Sequence, residues 1–522
     1  MTTISLKTNQ NRLIANLRHA FNQSSMLGEL LQNARRAEAS HIHFTVNDDS
    51  LSIRDDGIGI ADLQSLIFIA ESGWDETLKS RENAFGMGAL STLYFAERLT
   101  VCSGSQMFSA PTAYIISGEP IEVEPCDFLR GTEIRLDGVL PVPPKETLLS
   151  WVESELLRLC EAFPVPVWLN GKAIPRPLVD PALAWRETPM GKVLLDLSVS
   201  RTRWRCFLQG LPIGERPSYG DHHQVILLPD ETLARLPDRQ YLLNATEDHP
   251  RIQAAIDEAF REALIETRQR LAASDFVLHY ARTCLESSNA DLLNDLPFVP
   301  GNWFRDWDLN PAGFVRWWDH GAAEDIVARE ALIEAGVWRI ETGDDDDAPT
   351  AEVYLEARQA FLLQESKVDS GHWLMGLVRT ITPEDIQVRH DTCLHRDARP
   401  ELADYWVELE LVDRLHVSLP GEPEVAVSAI RKGSTLYVTP DVHGVTELVS
   451  DYLFDDCYNE EREDEDRDTI ATFIAVGCSS SPDRALLALL PWELRYTSQP
   501  KLAGAVVHLA FDSTGKLETV SV

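Results

Sequence analysis

Three short motifs, in fixed order within the first hundred residues, constrain the fold of this chain more than any other feature of its sequence. They are Glu29-Leu30-Leu31-Gln32-Asn33, Asp55-Asp56-Gly57-Ile58-Gly59 and Phe85-Gly86-Met87-Gly88-Ala89-Leu90-Ser91. Each alone has an ordinary reading: the polar face of an amphipathic helix, an Asp-Gly turn, a Gly-x-Gly loop. Together they describe one site assembled from a helix, a strand end and a glycine-rich loop.

Met26 to Ala37 reads MLGELLQNARRA, rich in helix formers and free of proline, with Leu27, Leu30, Leu31 and Ala34 on one stripe. The helix this predicts carries Glu29 and Asn33 on one face, a turn apart, where a carboxylate and an amide converge. His41 to Arg54 alternates like two strands joined at Asn47-Asp48-Asp49-Ser50, so a hairpin leads into the second motif. Asp55 ends the second strand, where its carboxylate can accept a hydrogen bond from an adenine amino group. Gly57 and Gly59 let a ligand approach the backbone closely. Gly86 and Gly88 precede a helical run, Ala89 to Glu97, whose N-terminal N–H groups and dipole suit a phosphate. Glu71 to Asn83, with Gly73, Lys79 and Arg81, has the polar composition of a lid.

With these residues in place, GELLQNARRA, IRDDGIGI, IAESG, FGMGALS and AERLTVCS resemble the N-box, DxGxG box, lid approach, glycine lid and following strand of the GHKL ATPase superfamily. That group includes gyrase, the heat-shock protein 90 chaperones, histidine kinases and mismatch-repair ATPases. The chaperone branch is closest in wording, and Gly131-Thr132-Glu133-Ile134 resembles its Gly-Thr-x-Ile closing strand. The resemblance covers residues 1–140 and implies a fold of the α/β class in the broad α+β sense. A Bergerat-type ATP-binding α/β sandwich would be followed by an α/β transducer-like domain and an unassigned α/β C-terminal region.

Position by position, the resemblance implies that Glu29 is the general base polarising the attacking water and that Asn33 holds the Mg2+ that bridges the phosphates of ATP. Asp55 would bind the adenine amino group, Gly57 and Gly59 would shape the adenine pocket, Gly86 and Gly88 would wrap the phosphates, and Thr132 would support the adenine side. One position departs. Chaperone, gyrase and mismatch-repair boxes carry Asp three residues after the Asn, and here that residue is Arg36. Histidine kinases tolerate a basic residue there, so binding remains the expectation while the rate of turnover is left open. In the relatives a transducer-domain cation reaches the γ-phosphate, where it would offset developing charge. Arg239, Arg251 and Lys172 are the candidates.

Composition bounds the surroundings. The chain has 522 residues, 44% of them hydrophobic and 25% charged, enough for roughly three domains. No apolar run is long enough to span a bilayer and the N-terminus lacks a signal-peptide core, so a cytoplasmic location without membrane association is expected. Eight scattered cysteines form no Cys-x-x-Cys pair, which fits a reducing compartment and predicts buried small apolar thiols. A formal net charge of −36 disfavours wholesale nucleic-acid binding and leaves room for a local basic face. The acidic runs at 344–347 and 460–468 read as solvated loops.

Proline-rich VLPVPPK, 139–145, marks a boundary. The expected domains are 1–140, an α/β unit at 146–273 with helices near Glu146 to Phe163 and Pro250 to Ala273, and a region at 274–522 in one or two subdomains. Trp303, Trp307, Trp317 and Trp318 read as core residues. His390, Cys393 and His395 fit no standard zinc spacing.

The leading expectation is an ATP-driven machine that orders its lid, pairs two subunits as a homodimer and acts on protein clients in a chaperone-like role. A nucleic-acid-processing or defence ATPase resembling mismatch-repair, topoisomerase or MORC proteins is a second. A nucleotide-binding switch with little turnover is a third. A histidine kinase is disfavoured, because the 28 residues before Glu29 are too few for a dimerising hairpin.

Overall fold

Alternation of apolar side chains decides the first sheet. In the strand Ile42–Val46 (β1), Ile42, Phe44 and Val46 are buried while His43 and Thr45 face outward, so one face of the sheet is covered and the other is not. A computed structural model describes residues 23–68, 91–139, 146–199, 202–214, 224–235, 240–307, 325–341, 348–403, 405–442, 445–454 and 457–522. It divides into two compact units, residues up to 271 with 282–289, and 272–281 with 290–522. Both mix helices with several sheets, an α+β class.

In the first unit β1 pairs antiparallel with Ser50–Asp55 (β2), as the hairpin reading predicts. Arg98–Pro111 (β3) and Glu124–Asp137 (β4) extend the sheet beyond β2, and β1 pairs on its other side, in parallel, with Val167–Leu169 (β5), itself paired with Lys172–Ala173 (β6). The order is therefore β3-β4-β2-β1-β5-β6. Helix Gln23–Arg36 and helix Leu148–Leu159 bury Met26, Leu27, Leu31, Val152 and Leu156 in the same core as Ile42, Phe44 and Val101.

That core moves the expected boundary. The helix at 148–159 and the strand at 167–169, assigned from the proline-rich stretch to a second domain, pack into the first sheet. Prolines stop regular structure but do not stop a later strand from returning to pair in parallel, which a long crossover permits.

A second sheet follows in the same unit, ordered Leu211–Ile213 (β10), Trp204–Leu208 (β9), Gln224–Leu228 (β11), Gly191–Leu194 (β8) and Arg186–Thr188 (β7). Cys206 and Ile226 share one core with Ile252 and Ile256 of the helix Ala245–Arg270, while Phe207 and Val225 enter another with Leu178. Burial on both faces explains the unbroken apolar run Val225-Ile226-Leu227-Leu228. That long helix begins five residues before Pro250, the position at which the sequence pattern starts it.

In the second unit one core gathers Tyr354, Leu409, Leu411, Val417, Leu436 and Phe473 from several small sheets and the helices Ala348–Ala357 and Glu460–Gly477. Trp303 is buried and Trp307 donates its indole N–H to the Ala360 carbonyl, so both belong to the core; Trp317 and Trp318 lie outside the described residues. The run EEREDEDRD is helical rather than a loop, capped by the side-chain carboxamide of Asn459, which accepts from Arg462 N–H. Within it Asp466 is buried and accepts from the Tyr452 hydroxyl at 2.9 Å. The run at 344–347 lies outside the described residues. Among the described residues, no helix is long and apolar enough to cross a membrane.

Candidate functional site

Helix Gln23–Arg36 presents Glu29, Asn33 and Arg36 along one face, four and then three residues apart. Glu29 and Arg36 are buried. The Arg36 guanidinium lies 4.0 Å from the Glu29 carboxylate and donates to Asn33 Oδ1 at 3.4 Å. The one position that departs from the family pattern thus rests on both residues to which the resemblance gives a role. From the same helix Gln32 donates to the Gln209 carbonyl, in the turn between β9 and β10, at 3.1 Å.

The helix end brings the second motif to the first. Ala37 donates its N–H to the Asn33 carbonyl and accepts from Ile58 N–H, both at 2.9 Å, so the loop after Asp55 is fastened one turn beyond Asn33. Asp55 itself is half-buried at the end of β2 and accepts Gly57 N–H at 2.9 Å. Burial raises its carboxyl above the usual range, opposed by hydrogen bonds from the backbone of Gly57 and Thr132. Thr132 is buried on β4, and its backbone donates to this carboxylate.

Gly57 and Gly59 are required by the packing of the fold itself. A Cβ on Gly57 would lie 2.4 Å from the Ala37 carbonyl oxygen, and one on Gly59, at φ +76°, 2.8 Å from Ser103 Oγ. Close approach of the Ala37 backbone and the Ser103 side chain thus by itself requires glycine at these two positions. Gly131 is tighter still: at φ +82° its Cβ would lie 2.1 Å from the Asp55 carbonyl oxygen. Gly86 and Gly88, with the lid segment, lie outside the described residues.

Sequence reading passes over two residues that hold this knot. Ser103 Oγ accepts Ile60 N–H and donates to the Gly131 carbonyl, each at 2.8 Å, and is 2% exposed. Its signal is a serine in phase with Leu99 and Val101 on the buried face of β3. Asp56 accepts Ser40 N–H at 2.7 Å and His41 N–H at 3.1 Å, as well as the Ser40 hydroxyl. Burial opposes its charge, but these donors and the nearby His41 outweigh it and bring the carboxyl down to about 2. Asp56 therefore pins the chain entering β1 to the chain leaving β2.

Of the three cations considered as candidates to reach a γ-phosphate, Lys172 is exposed on β6 and pairs with Glu153 at 3.3 Å, Arg251 is exposed on the long helix, and Arg239 lies outside the described residues. The donor set does not fit a magnesium ion as arranged. Asn33 Oδ1, the ligand the resemblance implies, already accepts from a guanidinium, and a fixed cation there repels a divalent one. Among the described residues, no group of three or more His, Cys, Asp or Glu side chains is placed to hold a metal. His390 instead approaches the Glu410 carboxylate at 3.5 Å, and His395 packs on Phe473.

What the arrangement offers chemically is a desolvated carboxylate at a strand end, a second carboxylate on a neighbouring helix face, and a buried guanidinium beside it. Comparison with protein-family models gives no match, and comparison with curated protein sequences gives none either.

Proposed function

We propose that the first unit binds ATP, with Asp55 accepting from the adenine amino group and the Glu29-Asn33-Arg36 face turned to the phosphates. The observation that carries this reading is the pair of hydrogen bonds at Ala37, which fastens the Asp55 loop within a turn of Asn33. An adenine-reading carboxylate and a polar, charge-compensated helix face then belong to one site. In this reading Glu29 orients and deprotonates a water, and Arg36 offsets charge that develops on the phosphoryl oxygens. No step is assigned to magnesium. The Gln32 bond to the Gln209 carbonyl supports coupling of the helix to the second sheet, a route by which nucleotide state could reach a homodimer and its protein clients.

One observation favours a second reading, a nucleotide-binding switch with little turnover. The Arg36 guanidinium lies 4.0 Å from the Glu29 carboxylate and donates to Asn33 Oδ1, so it engages both residues that would have to turn to a water and to the phosphates for turnover. ATP binding and phosphate release by the purified chain, beside Glu29→Ala and Arg36→Ala, separate the two. Turnover that Glu29→Ala abolishes while binding persists favours the ATPase. Binding without turnover, with turnover gained in Arg36→Ala, favours the switch. Absence of ATP binding in the wild-type chain would remove both.

A further inference from the structure

On the face of the first sheet opposite Val101 and Ser103, Cys102 of β3 and Cys126 of β4 lie with their Sγ atoms 3.1 Å apart. Both are free thiols of intermediate exposure, reachable by small solutes. They are not register partners, since Cys102 stands opposite Glu133. The two meet because β4 takes up extra residues opposite Gly104, where the pairing slips twice, and this bulge carries Cys126 back toward β3. A disulfide needs its sulfurs about 2 Å apart, so closing this pair asks for a shift of roughly 1 Å. Burial, with the Cys126 thiol, pushes Cys102 up to about 11, so at rest it is a neutral thiol leaning on its neighbour.

We propose that Cys102 and Cys126 are a modification site, closing to a reversible disulfide when the chain meets a hydroperoxide. The Cys126 sulfur attacks one peroxide oxygen, breaking the O–O bond; the sulfur is oxidised to a sulfenic acid and the leaving hydroxide takes up the thiol proton as water. The Cys102 sulfur then attacks the sulfenic sulfur, the S–S bond forms, and the hydroxyl leaves as water with the Cys102 proton. Two thiols and one peroxide give one disulfide and two waters. A dithiol reductant reverses the bond by exchange. The tie would span 24 residues and clamp the bulge that carries Gly131 and Thr132, next to Ser103. This inference stands apart from the nucleotide reading and survives its failure.

The test is peptide mapping without reduction of the full chain after one equivalent of hydrogen peroxide and alkylation. Cys393, Cys457 and Cys478 are more exposed and serve as internal controls. The expected result is a Cys102–Cys126 linked peptide while those three are still alkylated, reversed by dithiothreitol. Thermal unfolding of the first unit should rise by about 5 °C or more on oxidation, and in Cys126→Ser it should not move. Loss of the exposed thiols first, with Cys102 and Cys126 still alkylated, or linkage of either to another cysteine, overturns the proposal.

Discussion

Gly131 and Gly104 form a matched pair from which the strength of the knot around Asp55 can be measured. Both lie at the β3–β4 bulge with positive φ, +82° and +60°. Alanine at Gly104 meets no heavy atom within 4 Å, so Gly104→Ala should carry only the left-handed strain of about 1–2 kcal/mol. Alanine at Gly131 carries the same strain and drives its Cβ to 2.1 Å from the Asp55 carbonyl oxygen and 2.8 Å from Asp56 Cα. These are backbone atoms that cannot rotate away, so overpacking adds about 2–3 kcal/mol. Hydrogen exchange of the β2 and β4 amides, read by mass spectrometry, reports local opening without involving the second unit. At a factor of ten per 1.4 kcal/mol, the excess corresponds to exchange about 30–150-fold faster in Gly131→Ala than in Gly104→Ala. Equal exchange in the two variants would refute the reasoning that a close backbone approach holds Asp55 in place.

Ser103→Ala removes both the acceptor for Ile60 N–H and the donor to the Gly131 carbonyl, and should destabilise the first unit by about 1–3 kcal/mol, visible as loss of protection at Ile60. In the second unit His372 is buried, its Nδ1 accepts Leu374 N–H at 3.1 Å, and burial lowers its pKa to about 4. As pH falls below the ordinary value of 6.5, the unfolded chain takes up the proton first. The stability this group contributes is therefore complete above about pH 6.5 and declines toward pH 4, by up to about 3 kcal/mol. Denaturant midpoints followed by tryptophan fluorescence should show this slope in the wild type and lose it in His372→Asn, which keeps a capping acceptor. An identical slope in the variant would place the titration elsewhere. Arg36→Ala should make nucleotide affinity more dependent on magnesium than it is in the wild type, measured by titration with and without a chelator; unchanged dependence would remove the argument that Arg36 occupies the cation's place.

Local pattern made part of this legible. The leucine stripe of MLGELLQNARRA and the alternation of HIHFTVNDDSLSIR specify the helix and hairpin through nearest neighbours alone, and both formed within a few residues of expectation. The turn residues Asn170 and Gly171, both at positive φ, close the β5–β6 hairpin as an Asn-Gly pair should. The parallel return of β5 to β1 was not legible, because it joins segments more than a hundred residues apart and leaves no periodic trace. At the site, Asp55 could be found from its place at a strand end. The reason for Gly57, Gly59 and Gly131 could not, since it depends on which backbone lies beneath them. Ser103 and Asp56 were hidden for the same reason: their partners are a strand or a turn away. The acidic run at 460–468 misled by charge, because its Asn459 cap and the apolar residues Ile470, Phe473 and Ile474 that follow make it the first half of a helix.

The central claim, that Asp55 reads an adenine, is tested most directly by calorimetric titration of ATP and GTP into the wild-type chain and Asp55→Asn. A carboxylate accepts from the adenine amino group and repels the guanine carbonyl, whereas a carboxamide can donate to that carbonyl. The account predicts that the wild type binds ATP at least about tenfold more tightly than GTP, and that Asp55→Asn weakens ATP and narrows or reverses the preference. A wild-type chain that binds neither nucleotide, or a preference that Asp55→Asn leaves unchanged, would contradict it.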